Sequence, residues 1–362
     1  MVSAAAESIW WSARAATAGF NSADSLLRHF DLPRYRLAQI YRAAAKEFVP
    51  DLDAVSVLPA ALRARLKATL ALTSVTARHA ATSRDRQTTK VLFGLADGQD
   101  VEAVLMRHRN GRTTACISSQ AGCALRCDFC ATGQSGFTRN LSALEIFDQA
   151  VDLARRARNG GEKLTNIVFM GMGEPFLNYD AVMAAVALLN DPHGFGLGAR
   201  HITISTAGVV PGIKRFTAEK TQVNLALSLH APDDALRTRL MPINKRWPIA
   251  SLMEAVKEYV SATRRKVFYE YLMLAGCNDS PDDARQLADL LGGPLHHVNL
   301  IPYNSTDAAY ARSSEAAVRR FQSILRERGV PVTVRQTMGD DIAAACGQLR
   351  VDRVLAPAAA GK

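Results

Sequence analysis

The residues best equipped for chemistry are cysteines. Cys123, Cys127 and Cys130 stand in a C-x3-C-x2-C arrangement, and Cys116 lies seven residues ahead of the first. Four of the six cysteines therefore fall within fifteen residues, leaving only Cys277 and Cys346 for the rest of the chain. Three thiolates grouped this tightly can bind zinc or an iron–sulfur cluster. A closed structural zinc site needs a fourth ligand, which Cys116, Cys277 or Cys346 would have to supply. The spacing points instead to a [4Fe–4S] cluster held by three protein ligands, with one coordination position open. A second candidate is Gly171-Met-Gly-Glu174-Pro175. Alone, such a sequence is often no more than a tight turn.

The elements that must position these residues can be read from periodicity. Strand-like runs cover Ala115 to Ser118, Asn166 to Met170, His201 to Ser205, Val223 to Leu229, Val267 to Leu274 and Val298 to Pro302. Helical spacing recurs in Ala143 to Arg158, Tyr179 to Leu189, Ser251 to Ala262, Asp282 to Leu291 and Ser314 to Arg328. Six such units predict an α/β fold with a curved parallel sheet, a partial or full barrel. Ligands of such sheets lie at the C-terminal strand ends, where both motifs fall. Residues 21 to 72 read as small helices with basic faces. Lys90 to Leu95 and Val101 to Met106 read as a hairpin around Ala96-Asp97-Gly98. Met1 to Ala18 reads as a short amphipathic or frayed helix rather than a signal peptide, since Glu7 and Arg14 interrupt it. The expected division is 1–73, helical accessory domain; 74–111, β-hairpin connector; 112–350, core barrel; and 351–362, flexible tail.

At 362 residues, with 48% apolar and 22% charged residues, the chain has the composition of a soluble globular protein. No apolar run approaches the length of a membrane span. The net charge of +10 favours an anionic partner without identifying it. Half of that excess lies in residues 1–111, which hold 15 Lys and Arg against 10 Asp and Glu. Clustered cysteines without a secretory signal point to metal or catalytic use in a reducing cytoplasm.

Cys123-x3-Cys127-x2-Cys130, with Phe129 before the last cysteine and Gly-Met-Gly-Glu174 one strand later, resembles the radical S-adenosylmethionine superfamily. Ser118-Ser-Gln-Ala-Gly-Cys, Phe137-Thr-Arg-Asn-Leu141, Ser205-Thr-Ala-Gly, Leu227-Ser-Leu-His-Ala-Pro232 and Gly339-Asp-Asp-Ile-Ala-Ala-Ala-Cys-Gly-Gln348 narrow the likeness. They resemble the RlmN-type dual-specificity RNA adenine methyltransferases, over roughly residues 25 to 350. That resemblance implies a radical SAM partial (βα)6 barrel with an RNA-contacting N-terminal helical domain. It also implies methylation of C2 of adenosine 2503 in 23S rRNA and of adenosine 37 in tRNA, by a monomer fed by a donor such as flavodoxin.

Adenine C2 lies between two ring nitrogens and is too electron-poor to attack a methyl sulfonium, whereas a carbon radical can add to it. The resemblance assigns one [4Fe–4S] cluster to Cys123, Cys127 and Cys130, with two S-adenosylmethionine molecules used per turnover. It makes Cys346 the methyl carrier and Cys116 the residue that resolves a protein–RNA adduct, leaving a transient Cys116–Cys346 disulfide. Glu102 matches the proton acceptor. Gly173, Glu174, Ser205, Ser228, Leu229, His230 and Asn304 match the cofactor contacts. The segment after Asn304 lacks the family's usual proline-rich sequence, and Met338 replaces an Arg common before Gly-Asp-Asp. Two alternatives stay open: a related Cfr-type enzyme methylating C8 of the same ribosomal adenosine, and a non-catalytic zinc-containing RNA-binding protein.

Overall fold

Apolar runs punctuated by turn formers become one ten-stranded sheet in the computed structural model, which describes residues 2–292, 295–306 and 308–351. Four helices come first: α1 (Val2–Thr17), α2 (Ala23–Phe30), α3 (Tyr35–Ala45) and α4 (Ala60–Lys67). Strands β1 (Val75–Thr82), β2 (Thr88–Leu95), β3 (Asp100–Arg107) and β4 (Thr113–Cys116) pair antiparallel in succession. A separate small pair, β5 (Gln120–Gly122) with β6 (Phe137–Asn140), flanks the single-turn helix α5 (Ala131–Gln134).

Strand and helix then alternate: α6 (Ala143–Asn159), β7 (Asn166–Phe169), α7 (Tyr179–Asn190), β8 (Ile202–Thr206), α8 (Val210–Ala218) and β9 (Asn224–Ser228). Next come α9 (Asp234–Leu240), α10 (Ile249–Thr263), β10 (Val267–Met273), α11 (Pro281–Leu290), β11 (His296–Pro302), α12 (Glu315–Glu327) and β12 (Val332–Val334). The sheet order is β1-β2-β3-β4-β7-β8-β9-β10-β11-β12, and every pairing from β4 to β12 is parallel. This is the expected α/β barrel-like sheet, open because β12 and β1 occupy opposite edges. All the C-terminal ends from β4 onward lie on one side.

Local chemistry explains the boundaries. Ser142 and Glu145 form a reciprocal capping box at the start of α6, and Ser280 and Asp283 do so at α11, where Pro281 occupies the first turn. Gly98 turns the β2–β3 hairpin with φ +82°, a conformation glycine adopts without penalty.

The sequence reading missed some elements. The connector contains a third strand, β1, and its strands continue the barrel sheet beyond β4. Strand β12 has only three residues, and α8 and α9 lie in short mixed segments whose period is hard to read. Helix α1 is anchored, with Trp10, Trp11 and Arg14 buried. Arg14 Nη2 donates to Asp148 of α6 at 2.7 Å, and the Tyr41 hydroxyl donates to Asp191 at 2.8 Å. One continuous apolar core therefore runs from Trp10 and Leu26 through Ile167 to Val298. Of the expected tail, residues 352–362 lie outside the described residues. No helix among the described residues is long and apolar enough to cross a membrane.

Candidate active site

The site is assembled at the C-terminal strand ends by two loops stitched together. After β4 the chain turns at Ser118, whose hydroxyl donates to the Glu102 carbonyl at 2.6 Å and accepts from Met172 N at 2.8 Å. Ser119 N donates to Met172 O, Gly171 N donates to Ile117 O, and Glu174 N donates to the Gln120 side chain at 2.8 Å. The cysteine loop and the glycine loop are thus edge to edge. The glycines follow from this contact. A Cβ on Gly171 would lie 2.7 Å from the Ile117 backbone. One on Gly173, which sits at φ +99°, would lie 2.5 Å from Gln120 Cβ.

Cys123, Cys127 and Cys130 border a cavity of about 150 Å³ together with Gly173, Glu174, Ser205, Ser228 and His230. Burial pushes the Cys123 thiol up to about 12, with Glu174 and Cys130 adding to this, and Cys127 well above the ordinary thiol range, with Cys130, Cys123 and Glu174 adding. Holding them as thiolates requires positive charge, which a bound metal group supplies. Among the described residues no three Cys, His, Asp or Glu side chains converge as ligands of a single ion. The three thiols instead surround a space, a soft donor set that fits an iron–sulfur cluster whose metal atoms are spread across it.

Glu174 is buried, which raises its pKa to about 7 against the hydrogen bonds it accepts from Ala207 N at 2.7 Å and Phe176 N at 3.0 Å. Ser205 and Ser228 are at the ends of β8 and β9. His230 adopts φ +60°, packs edge-on to Phe129, and accepts from Leu272 N through Nδ1 at 3.0 Å. Burial, followed by the nearby Arg237, lowers its pKa to about 3, so the ring is neutral with the proton on Nε2. Leu229 is fully buried in the core and does not line this cavity; its carbonyl accepts from Arg237.

A larger cavity of about 710 Å³ adjoins the first and receives both remaining candidate cysteines, Cys116 and Cys346. Cys116 ends β4. Cys346 lies in the segment after β12, which is tied back to the cysteine loop by Ala131 N to Gly347 O at 2.9 Å and by Thr132 to Leu349 O. Asn304, after β11, donates to Cys346 O at 3.3 Å. Cys346 keeps accessible surface because it faces the cavity, although protein surrounds it closely. Burial raises both thiols, Cys116 to about 12. All six cysteines are free, so the transient Cys116–Cys346 disulfide is not formed in this structure.

Glu102 is placed differently. The antiparallel β3–β4 register puts it at the correct end of the sheet, with Val104 opposite Cys116. Its carboxylate pairs with Lys90 at 2.9 Å and accepts from Arg350 N at 2.9 Å, and it lines neither cavity.

Several residues here escaped the sequence reading. Arg237, fully buried, donates to the carbonyls of Ala207, Ser228 and Leu229, clamping the ends of β8 and β9. Glu270, Asn299 and Arg335 form a polar cluster inside the barrel. Gln348 fixes the Cys346 turn through Ala345 N, Ser305 O and Asp340. The rule of inspecting residues after each strand would have found Arg335 had β12 been read as a strand.

Comparison with known proteins agrees with this geometry. Residues 117–291 match the model of the radical SAM superfamily. Probable dual-specificity RNA methyltransferases RlmN from Symbiobacterium thermophilum and Chloroflexus aurantiacus are each 47% identical to the chain. They align with 88% and 90% of it, and with 86% and 89% of their own lengths. A crystal structure of a radical SAM methyltransferase from Sphaerobacter thermophilus superimposes with a TM-score of 0.88 at 50% identity, covering 93% of this chain and 98% of that one.

Proposed function

Because the chain belongs to the RlmN-type dual-specificity RNA methyltransferases of the radical SAM superfamily, we propose that it methylates C2 of adenosine 2503 in 23S rRNA and C2 of adenosine 37 in tRNA. The observation that carries the methyl-transfer chemistry is the meeting of Cys116 and Cys346, 230 positions apart, in one cavity beside the three-cysteine loop, while the Cys123-Ala-Leu-Arg-Cys-Asp-Phe-Cys130 context favours C2 over C8.

Cys123, Cys127 and Cys130 would hold the [4Fe–4S] cluster, while Gly173, Glu174, Ser205, Ser228, His230 and Asn304 would contact S-adenosylmethionine; Leu229, enclosed in the core, would only support the turn that carries Ser228 and His230. Bound there, cluster and cofactor supply the one-electron chemistry that an unactivated ring carbon demands. The chain's own residues do the rest. Cys346 serves as nucleophile and accepts a methyl group, one S-adenosylmethionine being used for that and a second for activation. The S-methyl group on Cys346 loses a hydrogen atom and its carbon bonds to C2 of the base, which then gives up its own proton and one electron that the bound cluster would take. The Cys116 thiolate then attacks the Cys346 sulfur and breaks that sulfur's bond to the transferred carbon, which takes up a proton to become the methyl group of the freed RNA, leaving a disulfide for an external reductant. Neutral His230 adds no positive charge beside the cofactor. For Glu102 to take the proton from the base, its contacts with Lys90 and Arg350 have to open. Residues 1–73 would contact RNA, 74–111 would connect them to the barrel, and 112–350 would form the catalytic core. A monomer acting in the cytoplasm with a flavodoxin-type donor completes the reading.

The test is to complement a strain lacking the methyltransferase, digest its 23S rRNA and tRNA, and locate the methyl group by mass spectrometry and NMR. Methyl at C2 of both adenosines is the expected result. Methyl at C8 alone, as in Cfr-type enzymes, overturns it, as does stoichiometric zinc without S-adenosylmethionine cleavage.

A further inference from the structure

Beneath the two cavity cysteines the barrel interior holds a charged cluster that the reading above leaves without a role. Arg335, the first residue after β12, donates through Nη2 to Glu270 Oε1 on β10 at 2.8 Å. Asn299 on β11 donates to the same oxygen at 3.0 Å. The β10–β11 register sets Glu270 directly beside Asn299, so neighbouring strands fix the carboxylate that aims the guanidinium. Arg335 N is itself held by Leu300 O at 2.8 Å. Glu270 is 3% exposed and borders both cavities. Arg335, Cys116 and Cys346 all line the larger one.

We propose that Arg335, aimed by Glu270 and Asn299, is a positioning residue that serves the Cys116–Cys346 pair by stabilising whichever sulfur is anionic. The inference rests on the two-cysteine reading above. A thiolate is the form that takes a methyl group from a sulfonium or attacks another sulfur, and burial alone would suppress it. Opposite charge is the remedy, and the electrostatics agree. Burial opposes the charge of Arg335, yet Glu270, Cys346 and Cys116 together outweigh that and raise its pKa. Reciprocally, burial raises Cys346 most; Arg335 lowers it, while Glu270 and Cys130 raise it. The other charged or titratable groups lining the larger cavity include His108, Arg109 and Arg112. Arg335 and Glu270 therefore act on Cys346 with opposite signs, so replacing one or the other should move its titration in opposite directions.

The test uses the full chain before cluster reconstitution, with iodoacetamide alkylation of Cys346 followed from pH 7 to 12 by mass spectrometry of its peptide. Arg335→Gln should move the alkylation midpoint up by about one pH unit, slowing the reaction at pH 8 about tenfold. Arg335→Lys should recover part of the loss, and Glu270→Gln should move the midpoint down. An unchanged midpoint in a folded Arg335→Gln protein overturns the proposal. If that variant does not fold, an unchanged or raised midpoint in Glu270→Gln overturns it. Failure of the RNA-methylation reading would appear separately, as unmethylated RNA with these thiol profiles intact.

Discussion

Replacing Gly173 by Ala tests whether the two catalytic loops are held by close contact or merely lie near each other. Three costs can be worked from the structure. A Cβ at φ +99° incurs left-handed strain of about 1 kcal/mol. The same Cβ would fall 2.5 Å from Gln120 Cβ and 2.9 Å from Gln120 N, an overpacking of about 1–3 kcal/mol. Moving Gln120 aside breaks the bond from Glu174 N to its side chain, about 1 kcal/mol more. The sum is about 3–5 kcal/mol. Gly98→Ala is the control: it sits at φ +82° with nothing within 4 Å, so it carries the strain alone, about 1 kcal/mol. Urea unfolding of the two variants beside the parent chain measures the difference, and hydrogen exchange at Glu174 N reports whether the loop contact opened. If Gly173→Ala costs no more than Gly98→Ala, the loops are not in forced contact and the explanation given for the glycine motif is wrong.

Other consequences follow from single contacts. Arg14→Met leaves Asp148 buried with only Ser74 as partner and should destabilise the chain by about 3–5 kcal/mol in urea; a loss under about 1 kcal/mol would show that α1 docks without that pair. His230 is held neutral, its folded pKa lying below the unfolded one. The folded state therefore binds fewer protons, and stability should fall by about 1.4 kcal/mol per pH unit as pH drops from about 6.5 towards 3. His230→Asn, which tolerates the left-handed backbone, should flatten that slope in acid titrations of unfolding. Incubated with S-adenosylmethionine after reconstitution, Cys346→Ala should carry no methyl group by intact mass. Cys116→Ala should accumulate RNA crosslinked to protein, and normal turnover by it would remove its resolving role.

How much of this was readable depends on how locally each feature is determined. The three cysteines of the C-x3-C-x2-C loop lie within eight residues, and the strands β7 to β11 are apolar runs long enough to declare themselves. Both could be read from order alone. Strand β12 could not, because three residues carry no period, and its identity comes from pairing Val298 with Val332. The Glu270–Asn299–Arg335 cluster was invisible for a related reason: it depends on the register between strands, and a shift of one residue would turn each side chain to the opposite face. Glu102 shows the limit from the other side. Sequence could place it on a strand near Cys116, but its contact with Lys90 depends on the β2–β3 register and its contact with Arg350 on where the segment after β12 comes to lie.

That end of the chain is what completes the site. An open sheet leaves a gap between β12, its last parallel strand, and the hairpin strands beyond β4, its first. The segment from Met338 to Arg350 crosses that gap. Asp341 accepts from Arg84 N at 2.9 Å, the Ala343 carbonyl accepts from Lys90 at 3.2 Å, and Arg350 N reaches Glu102. Gly339 allows the entry, since a Cβ there would lie 2.6 Å from Thr88. Each anchor on the hairpin side is thus a residue of the connector or of the turn between β1 and β2, which explains why this hairpin belongs to the barrel sheet. A barrel closed by strand pairing would have no room for this segment between its edges. Closure by a strap held through side-chain and backbone contacts instead brings Cys346 to the cavity that Cys116 lines from the end of β4.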